Sequence, residues 1–353
     1  LLAAVLHILK KGGVITASEG NLAAYSTVWL LEAAAYCAVN CYALISGYVG
    51  YSDRPKPLRL ARCIELWLQV VFYSVIITTV YCIAGVGSVG VSDFADAFLP
   101  VTSKQYWYFT AYIGMFFFIP LLNALVRRLN RRALVSLCIM LIAVFSLYDT
   151  FASFWKKDPL ALVGGHSPLW LGVLYIFGAA MKKLRVPESM SSKKALLIYA
   201  SAAVFTALFK ITGDRLLRFV PGSLFVRDTS PTVLLCAAAL LVAFARFKPG
   251  RKLPDFAVLF APAAFGVYLL HVSPLVFEHV IGNRFAFIGR LPFPLIPFAV
   301  LASAGVILAV GLAADKVRIL LFKALGVPKM CRKAENSIRR LWMHVVDAAA
   351  NRE

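Results

Sequence analysis

The sequence predicts an all-α protein, a polytopic transmembrane helix bundle of about ten spans. Three observations carry that prediction. Of 353 residues, 61% are hydrophobic and only 15% are charged, against about 45–50% and about 25% in a soluble domain. The charge is lopsided, with 37 Lys and Arg against 17 Asp and Glu and a formal net charge of +20. Most of the basic residues fall in turns between long apolar runs. Too little polar sequence remains to build the surface of a nucleic-acid binder, and disorder requires low hydrophobicity.

The spans are read at 1–9, 22–50, 62–84, 105–126, 133–150, 167–181, 195–210, 231–247, 256–281 and 293–314. The first opens at Leu1-Leu2-Ala3, inside an apolar run and without a signal-peptide pattern, so it reads as the remainder of a first membrane helix. Backbone groups in lipid need partners within their own segment, which makes these runs helices. They are too long and too uniform for barrel strands. Pro120, Pro274 and Pro297 fall inside or near spans, where membrane helices tolerate kinks. The seven Cys form no CxxC, and Cys37 and Cys41 lie one turn apart. Packing is the reading for them.

The turns orient the bundle. Arg54, Lys56, Arg59 and Arg62 form one basic turn, and Arg127, Arg128, Arg131 and Arg132 a second. Lys182, Lys183, Arg185, Lys193 and Lys194 form a third, and Arg246, Lys248, Arg251 and Lys252 a fourth. With the tail, one side carries 26 of the basic residues and the other 11. By the positive-inside rule the basic side, with both termini, is cytoplasmic. Two regions follow: a transmembrane domain at 1–315, its first span cut short, and a basic cytoplasmic tail at 316–353. In the tail Ile338, Leu341, Trp342, Val345 and Val346 recur at helical spacing beside Arg339 and Arg340, an amphipathic pattern suited to an anionic inner leaflet.

Polar groups inside spans cost about 2.5–3.5 kcal/mol each by insertion scales, so each needs a reason. His7 and His271 fall near the outer ends of two different spans. An imidazole titrates near neutrality and is the natural general base for a hydroxyl; a hydrogen-bonded packing role is the alternative. Glu32 and Asn40 share one helix face, eight residues apart, where structural hydrogen bonds compete with a role in the site. Arg62 and Glu65 have i, i+3 ion-pair spacing, but Arg59 and Arg62 would also meet an anionic cofactor arriving from the cytoplasm. Soluble-enzyme signatures such as GxSxG, HExxH and the P-loop are absent. His271, Glu278 and His279 make no convincing metal spacing, so no metal is expected.

Four motifs then carry a resemblance. Val39-Asn40-Cys41-Tyr42-Ala43-Leu44-Ile45-Ser46-Gly47-Tyr48 ends the second span. Tyr106-Trp107-Tyr108-Phe109 precedes Ile119-Pro120-Leu121-Leu122-Asn123. Tyr175-Ile176-Phe177-Gly178-Ala179 lies in the sixth span, and Phe265-Gly266-Val267-Tyr268-Leu269-Leu270-His271 in the ninth. In this order, over nearly the whole chain, they resemble the membrane-bound acyltransferase-3 family.

The resemblance implies transfer of an acyl group, commonly acetyl, from cytoplasmic acyl-CoA to a hydroxyl of a cell-envelope glycan or lipid-linked sugar. His7 matches the family's first-span histidine; the basic residue that precedes it by eleven positions would fall before residue 1. On this reading His7 is the base, and Tyr268 and His271 position acceptor or acyl group. Asn40 and Ser46 support the cavity, Trp107 stacks on a sugar, and Arg59 and Arg62 hold the phosphates of acetyl-CoA. The outer loops 85–104, 151–166 and 211–230 have the room and the polar residues to choose the acceptor. The competing reading is a transporter or flippase of an envelope precursor, for which an inverted repeat or paired broken helices would be the mark; neither is visible.

Overall fold

The computed structural model describes residues 1–216, 220–247 and 258–350, the last six by backbone alone. Lys248, Arg251 and Lys252 of the fourth basic turn lie outside them, as do the side chains of Val345 and Val346. Among the described residues there are helices and turns and no strand. Helix occurs in each of the ten apolar runs, but five are long and apolar enough to cross a membrane, or seven if each of two bent pairs is one span. The other three are α1 (Leu2–Leu9, 8 residues), α8 (Pro168–Lys183, 16) and α10 (Pro231–Ala245, 15). At about 1.5 Å per residue they fall short of a hydrocarbon core of about 30 Å.

The remaining helices are α2 (Leu22–Ala35), α3 (Ala38–Gly50), α4 (Leu60–Ala84), α5 (Trp107–Phe116), α6 (Ile119–Arg128) and α7 (Arg131–Phe154). After α8 come α9 (Ser192–Arg215), α11 (Ala264–Val272), α12 (Ile296–Ala324) and α13 (Val327–Ala350), with α10 between α9 and α11. Side-chain caps start many of them. Asn21, Asn130, Ser167, Ser191 and Ser230 each accept from a backbone N–H of the first turn. Proline follows Ser167 and Ser230, where its missing N–H costs nothing. The proline expectations divide. Between α5 and α6, beside Pro120, the chain bends by 56°, and between α11 and the Pro274–Ile281 arm by 58°. Pro297 makes no kink, because it is the second residue of α12.

The centre of the bundle is α8, with Trp170, Leu171, Leu174 and Tyr175 fully buried. It lies against α3 with almost no space between backbones. A Cβ on Gly47 would collide with the carbonyl of Tyr175, and one on Gly178 with that of Leu44. Two of the motif glycines are thus a close helix crossing, the small-residue contact that replaces the hydrophobic effect between helices in lipid. Tyr175 also donates to Asn123 Oδ1 at 3.2 Å, tying α6 to α8. On the periphery the apolar residues face outward, with Ile83 82% and Phe298 73% exposed. That belt is normal against lipid and untenable in water.

The basic turns meet at one end. Lys182 Nζ donates to the carbonyl of Tyr51 at 2.9 Å. Lys183 Nζ donates to those of Val126, Arg127 and Leu129 at 2.8, 2.9 and 2.6 Å, neutralising the carbonyl end of α6. Arg246 reaches the carbonyls of Pro187 and Glu188, and Arg339 that of Leu58. The last apolar run extends beyond its predicted end at 314: α12 continues to Ala324, and Arg318 within it is buried.

Candidate functional site

His7 on α1 and His271 on α11 are in contact. Their Nδ1 and Nε2 atoms are 2.9 Å apart. The pairing is held by a clamp at the end of α1. Asn283 N donates to the carbonyl of Lys11 and Phe285 N to that of Gly12, and Lys11 Nζ lies 2.5 Å from Glu278. Gly13 turns the chain there at φ +85, a conformation suited to glycine. The ring of Phe277 meets His7 edge-on at 5.1 Å.

The hydrogen-bond chain fixes the tautomers of the neutral pair. His271 Nδ1 lies 2.6 Å from the carbonyl of Val267. A carbonyl only accepts, so this nitrogen carries the proton and donates. His271 Nε2 is then an acceptor, and His7 Nδ1 donates to it. His7 Nε2 is left with a bare lone pair, the atom a general base needs.

His7 lines a cavity of about 260 Å³ with Val39, Tyr42, Trp107, Tyr108 and Tyr268 among its walls. Three predicted site residues, His7, Trp107 and Tyr268, therefore line one cavity, and a fourth, His271, is bonded to His7. From the cavity a file of tyrosines descends: Tyr108 is 5.8 Å from Tyr42 and 6.4 Å from Tyr112, stacked on the latter at 21°. Tyr112 is close enough to Arg62 to feel its charge.

Above the cavity lies a group that the sequence reading missed. The His166 ring stacks on Trp107 at 3.9 Å and 20°, and His166 Nε2 is 3.2 Å from Asp228 Oδ2. Burial raises the Asp228 carboxyl above its ordinary value, and His166 works the other way. A Cβ on Gly165, at φ +109, would strike Asp228, so glycine lets the 163–166 turn ride over that residue. Arg227 lies 3.6 Å from buried Asp149, and Thr229 donates to the same carboxylate at 2.6 Å. Loops 151–166 and 211–230 announced themselves as polar, but a pairing 62 residues apart in sequence left no local signal.

The other predicted residues have different surroundings. Asn40 is fully buried; it donates to the carbonyl of Asp228 at 2.7 Å and accepts from Trp170 Nε1 at 3.1 Å. It braces the rim from below. Glu32 is 2% exposed, and its Oε2 has no hydrogen-bond partner among the described residues. Ser46 donates to the carbonyl of Tyr42 one turn back at 2.8 Å. Arg59 and Arg62 lie exposed at the start of α4, Arg62 paired with Glu65 at 3.2 Å.

A second buried polar group was also missed. Asp315 and Arg318 on α12 form a two-point ion pair at 2.9 and 2.7 Å. Gln69 and Tyr73 of α4 donate to Asp315 at 3.0 and 2.8 Å. Gly266 on α11 faces that carboxylate with no room for a Cβ. Read in sequence, an aspartate followed by cations looks like a membrane exit.

Compared with known proteins, residues 6–314 match the model of the acyltransferase-3 family, described as an acyltransferase domain. No curated protein and no solved structure matches.

Proposed function

The chain belongs to this acyltransferase family, a multi-pass membrane family, and from that premise we propose that it transfers an acyl group, acetyl by preference, from acyl-CoA to a hydroxyl of a cell-envelope glycan or lipid-linked sugar. The observation that carries the mechanism is the chain Val267–His271–His7, which leaves Nε2 as the unprotonated nitrogen of a residue that lines the cavity. That nitrogen takes the acceptor's proton as its oxygen attacks the thioester carbonyl. The carbon–sulfur bond breaks, and the same proton leaves with the thiolate of CoA. His271 accepts a hydrogen bond from His7 throughout and spreads the charge of the imidazolium.

The donor enters from the basic end, which faces the cytoplasm by the positive-inside rule. Arg59 and Arg62 offer charge-assisted contacts to its phosphates. Tyr42, Tyr108 and Tyr112, in ring contact between the cavity and the Arg62 end, are the side chains along which the acyl-pantetheine arm would have to reach His7. At the outer rim Trp107, backed by His166, supports a sugar ring. Tyr268 shapes the wall, and Asn40 supports it through the Asp228 carbonyl and Trp170.

The test is transfer of labelled acetyl from acetyl-CoA by membranes holding the wild-type chain and His7→Ala. General-base loss predicts a fall of roughly 10²–10⁴-fold. Unchanged transfer by His7→Ala removes His7 from the mechanism, and wild-type membranes that move an envelope precursor but leave it unacylated would overturn the enzyme reading.

A further inference from the structure

Acyl transfer asks nothing of α13, yet it is the most amphipathic long helix in the chain. It begins after Gly326, which stands at φ +70 just past the end of α12. The stretch Phe293–Ala324 is long and apolar enough to span a bilayer, so α13 starts at a membrane surface.

One edge of α13 is pinned to the bundle. Cys331 is buried, Glu335 accepts from Leu60 N at 3.2 Å, and Arg339 donates to the carbonyl of Leu58 at 2.7 Å. Those bonds set the rotation of the helix and leave an apolar stripe without cover. Met330, Ile338, Leu341 and Trp342 are 62%, 47%, 67% and 67% exposed. They lie at helical spacing on one side. Lys329, Arg332, Lys333 and Arg340, all exposed, occupy the other. The one carboxylate in this stretch, Glu335, is already bonded to Arg339 at 2.8 Å. A stripe that cannot turn inward, on a helix that leaves the bilayer and carries unbalanced positive charge, needs a cover that is apolar beneath and anionic at its surface.

We infer that α13 lies in the plane of the bilayer as a docking helix for anionic lipid. Its Met330–Ile338–Leu341–Trp342 face sits at the boundary of headgroups and acyl chains, and its lysines and arginines reach the anionic headgroups. Because the same helix holds Leu58 and Leu60, lipid contact is transmitted to the segment that carries Arg59.

The test uses the full chain in nanodiscs of phosphatidylcholine alone or mixed with phosphatidylglycerol. Hydrogen exchange is followed across 329–343, and quenching of Trp342 by lipids brominated near the headgroup is taken as the difference between wild type and Trp342→Phe. Phosphatidylglycerol is expected to slow exchange by about tenfold or more, as a few basic residues at an anionic surface would, and to deepen the quenching. The double variant Lys333→Glu/Arg340→Glu is expected to erase that lipid dependence while its thermal unfolding stays that of wild type. Equal exchange and quenching in the two lipids overturns the inference. So does protection that grows with the number of chains per disc, which would give the face to a second copy.

Discussion

Of the buried polar groups in the bundle, the Asp315–Arg318 pair and the His7–His271 pair are finished differently. Around Asp315 four donors converge: both carboxylate oxygens meet Arg318, and Gln69 and Tyr73 add two more donors to Oδ1. His7 and His271 make a chain that stops one bond short, at the second ring nitrogen of His7, a residue that lines a cavity. A buried carboxylate matched in charge and held by donors from two helices fixes those helices. A pair that ends in an unprotonated nitrogen retains something to spend on a substrate. This contrast, rather than burial alone, separates architecture from chemistry here.

Breaking each group should therefore cost different things. His7→Ala is expected to reduce acyl transfer by about 10²–10⁴-fold while the protein elutes as wild type in detergent and loses no more than about 1–3 kcal/mol, for the one acceptor left unmet on His271. Asp315→Ala reverses the pattern. It leaves Arg318 buried without its partner, a loss of about 3–5 kcal/mol, to be read as a large drop in melting temperature or failure to accumulate in membranes. The double replacement Asp315→Leu/Arg318→Leu should recover much of that stability, because neither charge is then stranded.

Smaller effects sharpen the comparison at the rim. Asn40→Ala strands the Trp170 N–H and the Asp228 carbonyl, at about 1–3 kcal/mol for each group left unmet; thermal unfolding should register it, and acceptor KM should rise as the rim loosens. The smallest change is expected for Glu278→Gln, since the partner pair Lys11–Glu278 is partly exposed and such pairs contribute about 0–1 kcal/mol. A large loss of stability there would mean that the ion pair, not the backbone bonds of Lys11 and Gly12, holds α1 against the arm.

Much of this was legible in the sequence, for identifiable reasons. Composition and the basic turns foretold an all-helical membrane bundle, because lipid permits few alternatives. Trp107, Tyr268 and His271 stand in the motifs and His7 in the first apolar run, and the structure brings them close together. The number of crossings was less legible: α10 is apolar enough for a span but short, α8 is a short helix buried among others, and hydropathy does not distinguish a helix wrapped by other helices from one wrapped by lipid. Asp315 and Arg318 defeated the reading for the opposite reason. Charges near a predicted span end look solvated until Gln69, Tyr73 and Gly266 are seen to close over them. His166 and Asp228 were hidden because their meeting depends on how two outer loops fold together.

The tautomer of His7 is the most direct measurement. In the protein labelled with ¹⁵N at its histidines, the resonances that vanish in His7→Ala belong to this ring. At neutral or mildly alkaline pH they should show a protonated Nδ1 and a bare Nε2, the form that can accept a hydroxyl proton. A protonated Nε2 with a bare Nδ1 would contradict the hydrogen-bond chain through His271 to Val267, and with it the assignment of His7 as the base.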